Sequence, residues 1–329
     1  MRRLLATGCG MVLLLYLLPI FLSLDIQPTN SSPVTPITVP VQQTTKTTPT
    51  NGDDTVTVLI EGIPTELSLE SYVEGVVLAE APDDFPIAAL RAQAIAARTY
   101  AVYKMMRGRP EAHPDADLCD DFEHCAAYRM PTTAVSGGGG SNIRQAVQDT
   151  AGQILTYQDI PIAAVFHCAS GPRTEAAGDV WGEDVPYLQS VVSPGGSACA
   201  DYEGTVTLSI EEFREKVQDA FPEADVSRAP ETWFTDSERT TGGGIRTVQL
   251  GGVAVEGTAL RDLFGLHSTN FTITTNSDSL SFHTIGYGHC VGLSQYGARY
   301  MAEQGADESE ILSHYYSGTV LSSLSVLSR

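Results

Sequence analysis

Positive charge is scarce in this chain. Lysine and arginine total 19 against 40 aspartates and glutamates, a formal net charge of −21 over 329 residues. No basic stripe or patch occurs anywhere, which argues against a nucleic-acid partner, because phosphate contacts need clustered lysine and arginine. The acidity by itself requires nothing more than solubility outside a cell. The sequence also lacks internal repeats and any regular alternation of strand and helix. That excludes a doubly wound parallel sheet and points to an α+β fold of helices mixed with antiparallel strands.

Charge is absent altogether from Leu4 to Leu24, just behind Arg2 and Arg3. At about 1.5 Å per residue such a helix is roughly 30 Å long, enough to cross a bilayer. No Ala-x-Ala pattern follows, so residues 1–25 read as an uncleaved membrane anchor, with cleavage as the alternative. The arginines place the N-terminus in the cytoplasm and the rest of the chain outside the cell membrane. Residues 26–54 are rich in Thr, Pro, Ser and Gln and lack aromatics and periodicity. They cannot bury a core and are expected to act as an extended tether. Residues 55–329 can form one large domain or two closely joined lobes.

Within that region Thr55–Glu61 reads as a strand, and a helix follows that stops at Glu80-Ala81-Pro82. Asp83-Asp84-Phe85-Pro86 supplies the start of a long alanine-rich helix ending near Arg107, with an aspartate as its cap. Short strands are expected at 154–157 and 162–167, and helices at 142–150, 297–304 and 309–316. Ser209-Ile210-Glu211-Glu212 reads as a capping box opening a helix to Ala220. Hairpins are expected around Gly251-Gly252 and Asn276-Ser277-Asp278.

Leu69, Val73, Val76, Val77 and Glu80 follow the spacing of a core-facing helical stripe. Glu74 lies off it and reads as a solvated acid. An ionised glutamate among valines is costly, so the pKa of Glu80 should rise and its proton should be available near neutral pH. That is the profile of a general acid. The competing description is an ordinary surface glutamate at a helix end.

His113, Cys119, His124 and Cys125 fall within one short polar loop. Two thiolates and two imidazoles make a sound tetrahedral zinc set, structural because four protein ligands leave no open position. A Cys119–Cys125 disulfide is the alternative in an oxidising compartment. Of Cys168, Cys199 and Cys290, any two can pair and leave one free thiol. A Cys168/His167 or Cys290/His289 nucleophile would need a geometry that chain neighbours rarely adopt.

Four blocks carry a resemblance. They are Tyr72 to Tyr100, Cys119-Asp120-Asp121-Phe122-Glu123-His124-Cys125, Phe166-His167-Cys168-Ala169-Ser170-Gly171 with Val180-Trp181-Gly182 and Pro186-Tyr187-Leu188, and Gly286 to Ala298. In this order they resemble the stage II sporulation protein D family of peptidoglycan lytic transglycosylases, which is related to amidase-enhancer proteins. The resemblance implies an enzyme that cleaves peptidoglycan glycan strands, preferably those stripped of stem peptides, during engulfment of the forespore. Its partners would be those strands and a sporulation amidase/endopeptidase complex at the membrane.

The family's catalytic glutamate falls on Glu80, and Arg98 matches an arginine the family needs for activity or substrate binding. Some members carry zinc on a loop with this His/Cys pattern. Ser170, Gly171, Tyr187, His289, Gln295 and Tyr296 would line the glycan groove. Arg98 would either hold a sugar oxygen across that groove or form a buried ion pair. Asp179, Glu183 and Asp184 are candidates for a second acid, which a hydrolase would need. The other function the resemblance allows is a non-catalytic wall-binding enhancer of an N-acetylmuramoyl-L-alanine amidase. Two cysteines depart from the family pattern: Cys168 stands near a usual Ser or Thr, and Cys290 where glycine is more frequent. Paired, those two would form a disulfide peculiar to this chain.

Overall fold

The computed structural model describes residues 55–131 and 140–325; the expected anchor (1–25) and tether (26–54) lie outside the described residues. No helix among the described residues is long and apolar enough to cross a membrane. These residues belong to one compact unit that holds two hydrophobic cores.

The described residues open with the hairpin β1 (Thr55–Ile60) and β2 (Ile63–Ser68), which leads straight into α1 (Leu69–Glu80). The Ser68 hydroxyl caps α1 by accepting a hydrogen bond from the Ser71 amide at 3.2 Å. Leu69, Tyr72, Val73, Val76 and Val77 are buried, as the stripe requires. The helix ends because Ala81 precedes Pro82, and a residue before proline is driven out of the helical region. Ala81 is extended (φ −128°, ψ 140°), which leaves Glu80 as the last helical residue.

Helix α2 (Ile87–Met106) is the centre of the larger core. Half of its buried residues are alanine (Ala89, Ala92, Ala94, Ala96, Ala97, Ala101), so neighbouring elements approach its backbone closely. The aspartate cap expected here is absent: Pro86 occupies the cap position with no side-chain hydrogen bond. Asp83 instead caps the next long helix, α3 (Ser141–Asp149), accepting from the Asn142 and Ile143 amides at 3.1 and 3.0 Å. The reason is local. Gly140 stands at that cap and has no side chain of its own to satisfy the free amides.

Between α2 and α3 lies the two-residue strand β3 (Leu118–Cys119), parallel to β1. After α3 come β4 (Gln153–Tyr157), β5 (Ile160–Pro161) and β6 (Phe166–His167). The strand expected over 162–167 is broken, because Ala164 and Val165 donate to carbonyls two residues back and Ala163 donates to the Tyr187 hydroxyl. A short helix α4 (Ala177–Trp181) follows.

Residues 203–285 form an inserted lobe around the second core. It runs β7 (Glu203–Ser209), α5 (Ile210–Ala220), β8 (Phe234–Arg239), β9 (Ile245–Leu250), β10 (Val253–Glu256), α6 (Gly257–Phe264), β11 (Phe271–Thr275) and β12 (Ser279–Ile285). These strands make two antiparallel sheets, ordered β10-β9-β8 and β11-β12-β7. Phe213 stacks on Trp233 and Phe264 with ring centres 5.0 and 5.3 Å away, and Phe264 on Phe282 at 4.9 Å. Each buried ring contributes about 1.5–3 kcal/mol through burial alone. The β9–β10 turn needs two residues with positive φ, which Gly251 (56°) and Gly252 (85°) supply. At α5 only half of the expected capping box is made, with Ser209 accepting from the Glu212 amide.

The lobe is rooted where the chain enters and leaves it: the Gly286 amide donates to the Tyr202 carbonyl at 2.7 Å. A second tie is the buried Glu175, which accepts from the Gly244 amide at 2.9 Å. A Cβ at Gly242 would sit 2.4 Å from that carboxyl group, so the close approach requires glycine. The chain then closes the first core with β13 (Leu293–Ser294), α7 (Gln295–Glu303), α8 (Glu308–Tyr315) and β14 (Val320–Ser323). The expected α+β class is observed, with mostly antiparallel pairing and two short parallel pairs, β1–β3 and β6–β13.

Candidate active site

The β6–β13 pair builds the site. In its register Leu293 faces Phe166 and Ser294 faces His167, which lays the fourth motif block beside the third. Gln295 is therefore delivered to the first position of α7, where the Ser294 hydroxyl caps the helix. From there Gln295, only 5% exposed, donates from Nε2 to Oε2 of Glu80 at 2.9 Å. Two segments 215 residues apart in sequence thus meet at one carboxylate.

Glu80 stands at the wall of a cavity of ≈ 560 Å³, a size suited to a few sugar rings. Burial raises its pKa above the ordinary carboxylate value, against the hydrogen bonds from Gln295 and the Ala127 backbone, which lower it. Tyr296 shares the wall, its ring edge-on to Phe85 at 5.2 Å and its amide bonded to the Cys168 carbonyl at 3.1 Å. Burial raises the Tyr296 pKa, so its hydroxyl stays neutral and can both donate and accept.

Other groups on this wall were not singled out in the sequence: Asp83, Arg129, Arg144 and Asp201. No local spacing signals them, because each arrives from a different loop or helix start. Glu74, expected to be merely solvated, is paired with Arg144 at 3.0 Å. Asp179 does not approach the cavity; it is paired with Arg246 of the inserted lobe. Glu183 and Asp184 do not line it either. Besides Glu80, the carboxylates on the wall among the described residues are Asp83, committed to capping α3, and Asp201.

Several residues expected to bind substrate lie elsewhere. Arg98 is fully buried and cannot touch a ligand. It forms a bidentate pair with Glu70 (2.8 and 2.6 Å) and donates to the Gln153 and Val147 carbonyls at 3.2 and 3.3 Å. Its helix turn faces α3 and β4 rather than the cavity, which corrects the groove reading in favour of the ion pair. Ser170, Gly171, Tyr187 and His289 are also absent from the cavity wall. Ser170 and Gly171 are buried, and the Tyr187 hydroxyl accepts from the Ala163 amide at 3.1 Å. The His289 ring lies between His167 and Trp181, with centres 5.6 and 5.4 Å apart. Burial, with Arg261 nearby, lowers the His289 pKa to about 4.

Neither candidate cysteine nucleophile is paired with its neighbouring histidine. The Cys168 sulfur faces Cys199, while that of Cys290 points to the Ala169 and Gly288 carbonyls. The Cys168–Cys290 pair is therefore not formed. Cys290 has φ 61°, a left-handed conformation that glycine adopts more readily than cysteine.

The ligand atoms of His113, Cys119, His124 and Cys125 lie within 4.8 Å of one another. His113 Nε2 is 3.1 Å from His124 Nδ1, and each of these nitrogens is 3.5 Å from Cys125 Sγ. Tetrahedral zinc with ordinary bond lengths needs edges of about 3.3 Å between nitrogens and about 3.6 Å between nitrogen and sulfur. The four residues fit that ion. His113 Nδ1 is held by the Ala116 carbonyl at 2.9 Å, which turns the Nε2 lone pair inward. The loop also serves Glu80: two residues beyond Cys125, the Ala127 amide donates to that carboxylate.

The profile described as Stage II sporulation protein matches residues 62–157, which span α1, α2, the His/Cys loop and β4. A Stage II sporulation protein D of Bacillus amyloliquefaciens is 35% identical over 293 residues, covering 87% of this chain and 79% of that protein. The chain belongs to the stage II sporulation protein D family. The Bacillus subtilis protein of that name is 34% identical over the same length. An amidase enhancer of Bacillus subtilis is 28% identical over 306 residues, though the match covers only 40% of it. The matched span overlaps the cavity: residues 78–83, Arg129, Met130, Gly140, Ile143 and Arg144 all lie on its wall.

Proposed function

We propose that this family member is a peptidoglycan lytic transglycosylase in which Glu80 acts first as acid and then as base. The observation that carries the reading is one carboxylate of raised pKa, oriented by Gln295 and Ala127, in a cavity large enough for sugar rings. Protonated Glu80 donates to the glycosidic oxygen between N-acetylmuramic acid and N-acetylglucosamine, and the C1–O bond breaks. The resulting carboxylate takes the proton of the muramyl C6 hydroxyl, and O6 bonds to C1. A 1,6-anhydro ring closes, and Glu80 ends protonated as it began. Water is not consumed, so one carboxylate suffices where a hydrolase uses two.

Arg129 on the wall supplies positive charge for the lactyl carboxylate that a muramyl residue exposes once its stem peptide is gone. This supports a preference for stripped strands. We also assign a structural zinc to His113, Cys119, His124 and Cys125. The metal would fix the loop that carries the Ala127 amide, with no part in proton transfer. The biological setting proposed is forespore engulfment, with the chain anchored in the cell membrane through residues 1–25 and working beside a sporulation amidase/endopeptidase complex.

A non-catalytic enhancer of an N-acetylmuramoyl-L-alanine amidase is the second reading, favoured by the relative named for that role. Zymography on stripped glycan strands without any amidase separates the two. Clearing by the parent protein and none by Glu80→Gln supports the enzyme. Absence of clearing by either, together with stimulation of an added amidase, refutes it.

A further inference from the structure

Cys168 and Cys199 are 31 residues apart in the chain, yet their sulfurs lie 3.4 Å from each other on the cavity wall. Each is set on a fixed backbone. Cys168 follows β6, and its carbonyl accepts from the Tyr296 amide at 3.1 Å. Cys199 closes a 3-10 turn over Gly196–Ala198, and its carbonyl accepts from the Tyr202 amide at 3.2 Å. The two segments are pressed together beside the sulfurs: a Cβ at Gly196 would fall 2.5 Å from the Ser170 carbonyl oxygen. That 3.4 Å contact is already close to the ~2.05 Å of a sulfur–sulfur bond. The remaining cysteines among the described residues are otherwise engaged, Cys290 toward backbone carbonyls and Cys119 and Cys125 in the histidine cluster.

We propose that Cys168 and Cys199 form a disulfide that cross-links the cavity wall at the root of the inserted lobe. The oxidant is a disulfide-bearing thiol reagent or oxidoreductase. The half-buried Cys168 thiolate attacks its disulfide and releases one thiol, then Cys199 displaces the second from the mixed disulfide. Two protons and two electrons leave the cysteines, and the disulfide of the oxidant is reduced to two thiols. Burial raises the Cys168 pKa, a property of slow structural thiols rather than catalytic ones. The bond ties β6, which sits beside Tyr296 and Gln295, to the Ala200–Tyr202 segment that enters β7. The lobe is then fixed relative to the wall that holds Asp201.

The test uses the full chain, equilibrated in a glutathione redox buffer, alkylated, digested and mapped by mass without reduction. A linked Cys168–Cys199 peptide with Cys290 unlinked is expected. The oxidised protein should also melt roughly 5–15 °C above the reduced one. Cys199→Ser should abolish that difference while leaving the melting point of the reduced form unchanged. Recovery of both peptides singly alkylated, even under strongly oxidising buffer, or linkage of either to Cys290, overturns the proposal. The mapping requires no enzymatic activity, so its outcome is independent of the transglycosylase reading.

Discussion

Replacing Gln295 by Met removes the side-chain donor to Glu80 while keeping length and apolar bulk in a position that is 5% exposed. The donor favours the carboxylate over the neutral acid, since a hydrogen bond to a charged group is worth about 1.5–3 kcal/mol and one to a neutral group about 1. That difference, roughly 1–2 kcal/mol, is felt as Glu80 gives up its proton in the transition state. At about 1.4 kcal/mol per decade, kcat should fall some 5- to 30-fold. KM should change little, because the bond is made to the acid and not to the sugar. The pH profile supplies an independent sign. Losing the donor raises the Glu80 pKa further, so the acid stays protonated to higher pH and the alkaline limb moves upward. Sugar release from stripped strands across about pH 5 to 9 measures both effects. Unchanged kcat with an unmoved alkaline limb would refute the role given to Glu80.

Three further outcomes follow from the same contacts. Metal analysis should find one zinc per chain, and its removal by chelator should loosen the loop with Ala127 and abolish activity; a fully active, metal-free protein contradicts the assignment. Glu70→Gln leaves the buried Arg98 guanidinium without its counter-charge and should cost about 2 kcal/mol, reduced because Glu70 is 36% exposed. Calorimetry should show a lower Tm with kcat of the folded protein unchanged, whereas lost kcat at unchanged Tm would return Arg98 to the groove. His289 and His167 stay neutral in the fold because burial lowers their pKa values, to about 4 for His289. The unfolded chain binds those protons below about pH 6.5, so stability is full above that pH and falls toward pH 4, by up to about 1.4 kcal/mol per unit per histidine. His289→Gln should flatten this slope in Tm against pH, and an unaltered slope counts against the burial argument.

What could be read from the sequence was set by local physics. The apolar stripe and Ala81-Pro82 together place Glu80 at a helix end, and the alanine run marks α2 as central. The His/Cys cluster was legible as a candidate ligand set because all four residues lie within one short segment. Contacts that cross the chain were not legible. Asp83 looked like the cap of the helix beside it, but Gly140 left another helix with greater need of a carboxylate. Arg98 could be a sugar ligand or an ion pair on sequence grounds, and only the packing of α2 against α3 and β4 decides for Glu70. Arg129, Arg144 and Asp201 reach the cavity from separate loops and helix starts, which no periodicity records. The Cys168–Cys199 approach depends on β6 pairing with β13, a two-residue parallel contact whose partners are more than 120 residues apart.

The most direct measurement is the mass of the sugar termini released from stripped glycan strands by the parent protein and by Glu80→Gln. The account predicts muramyl ends one water lighter than reducing ends, made by the parent and absent with the variant. Reducing ends would contradict it, transferring the chemistry to a hydrolase with Asp201 as the carboxylate to examine next.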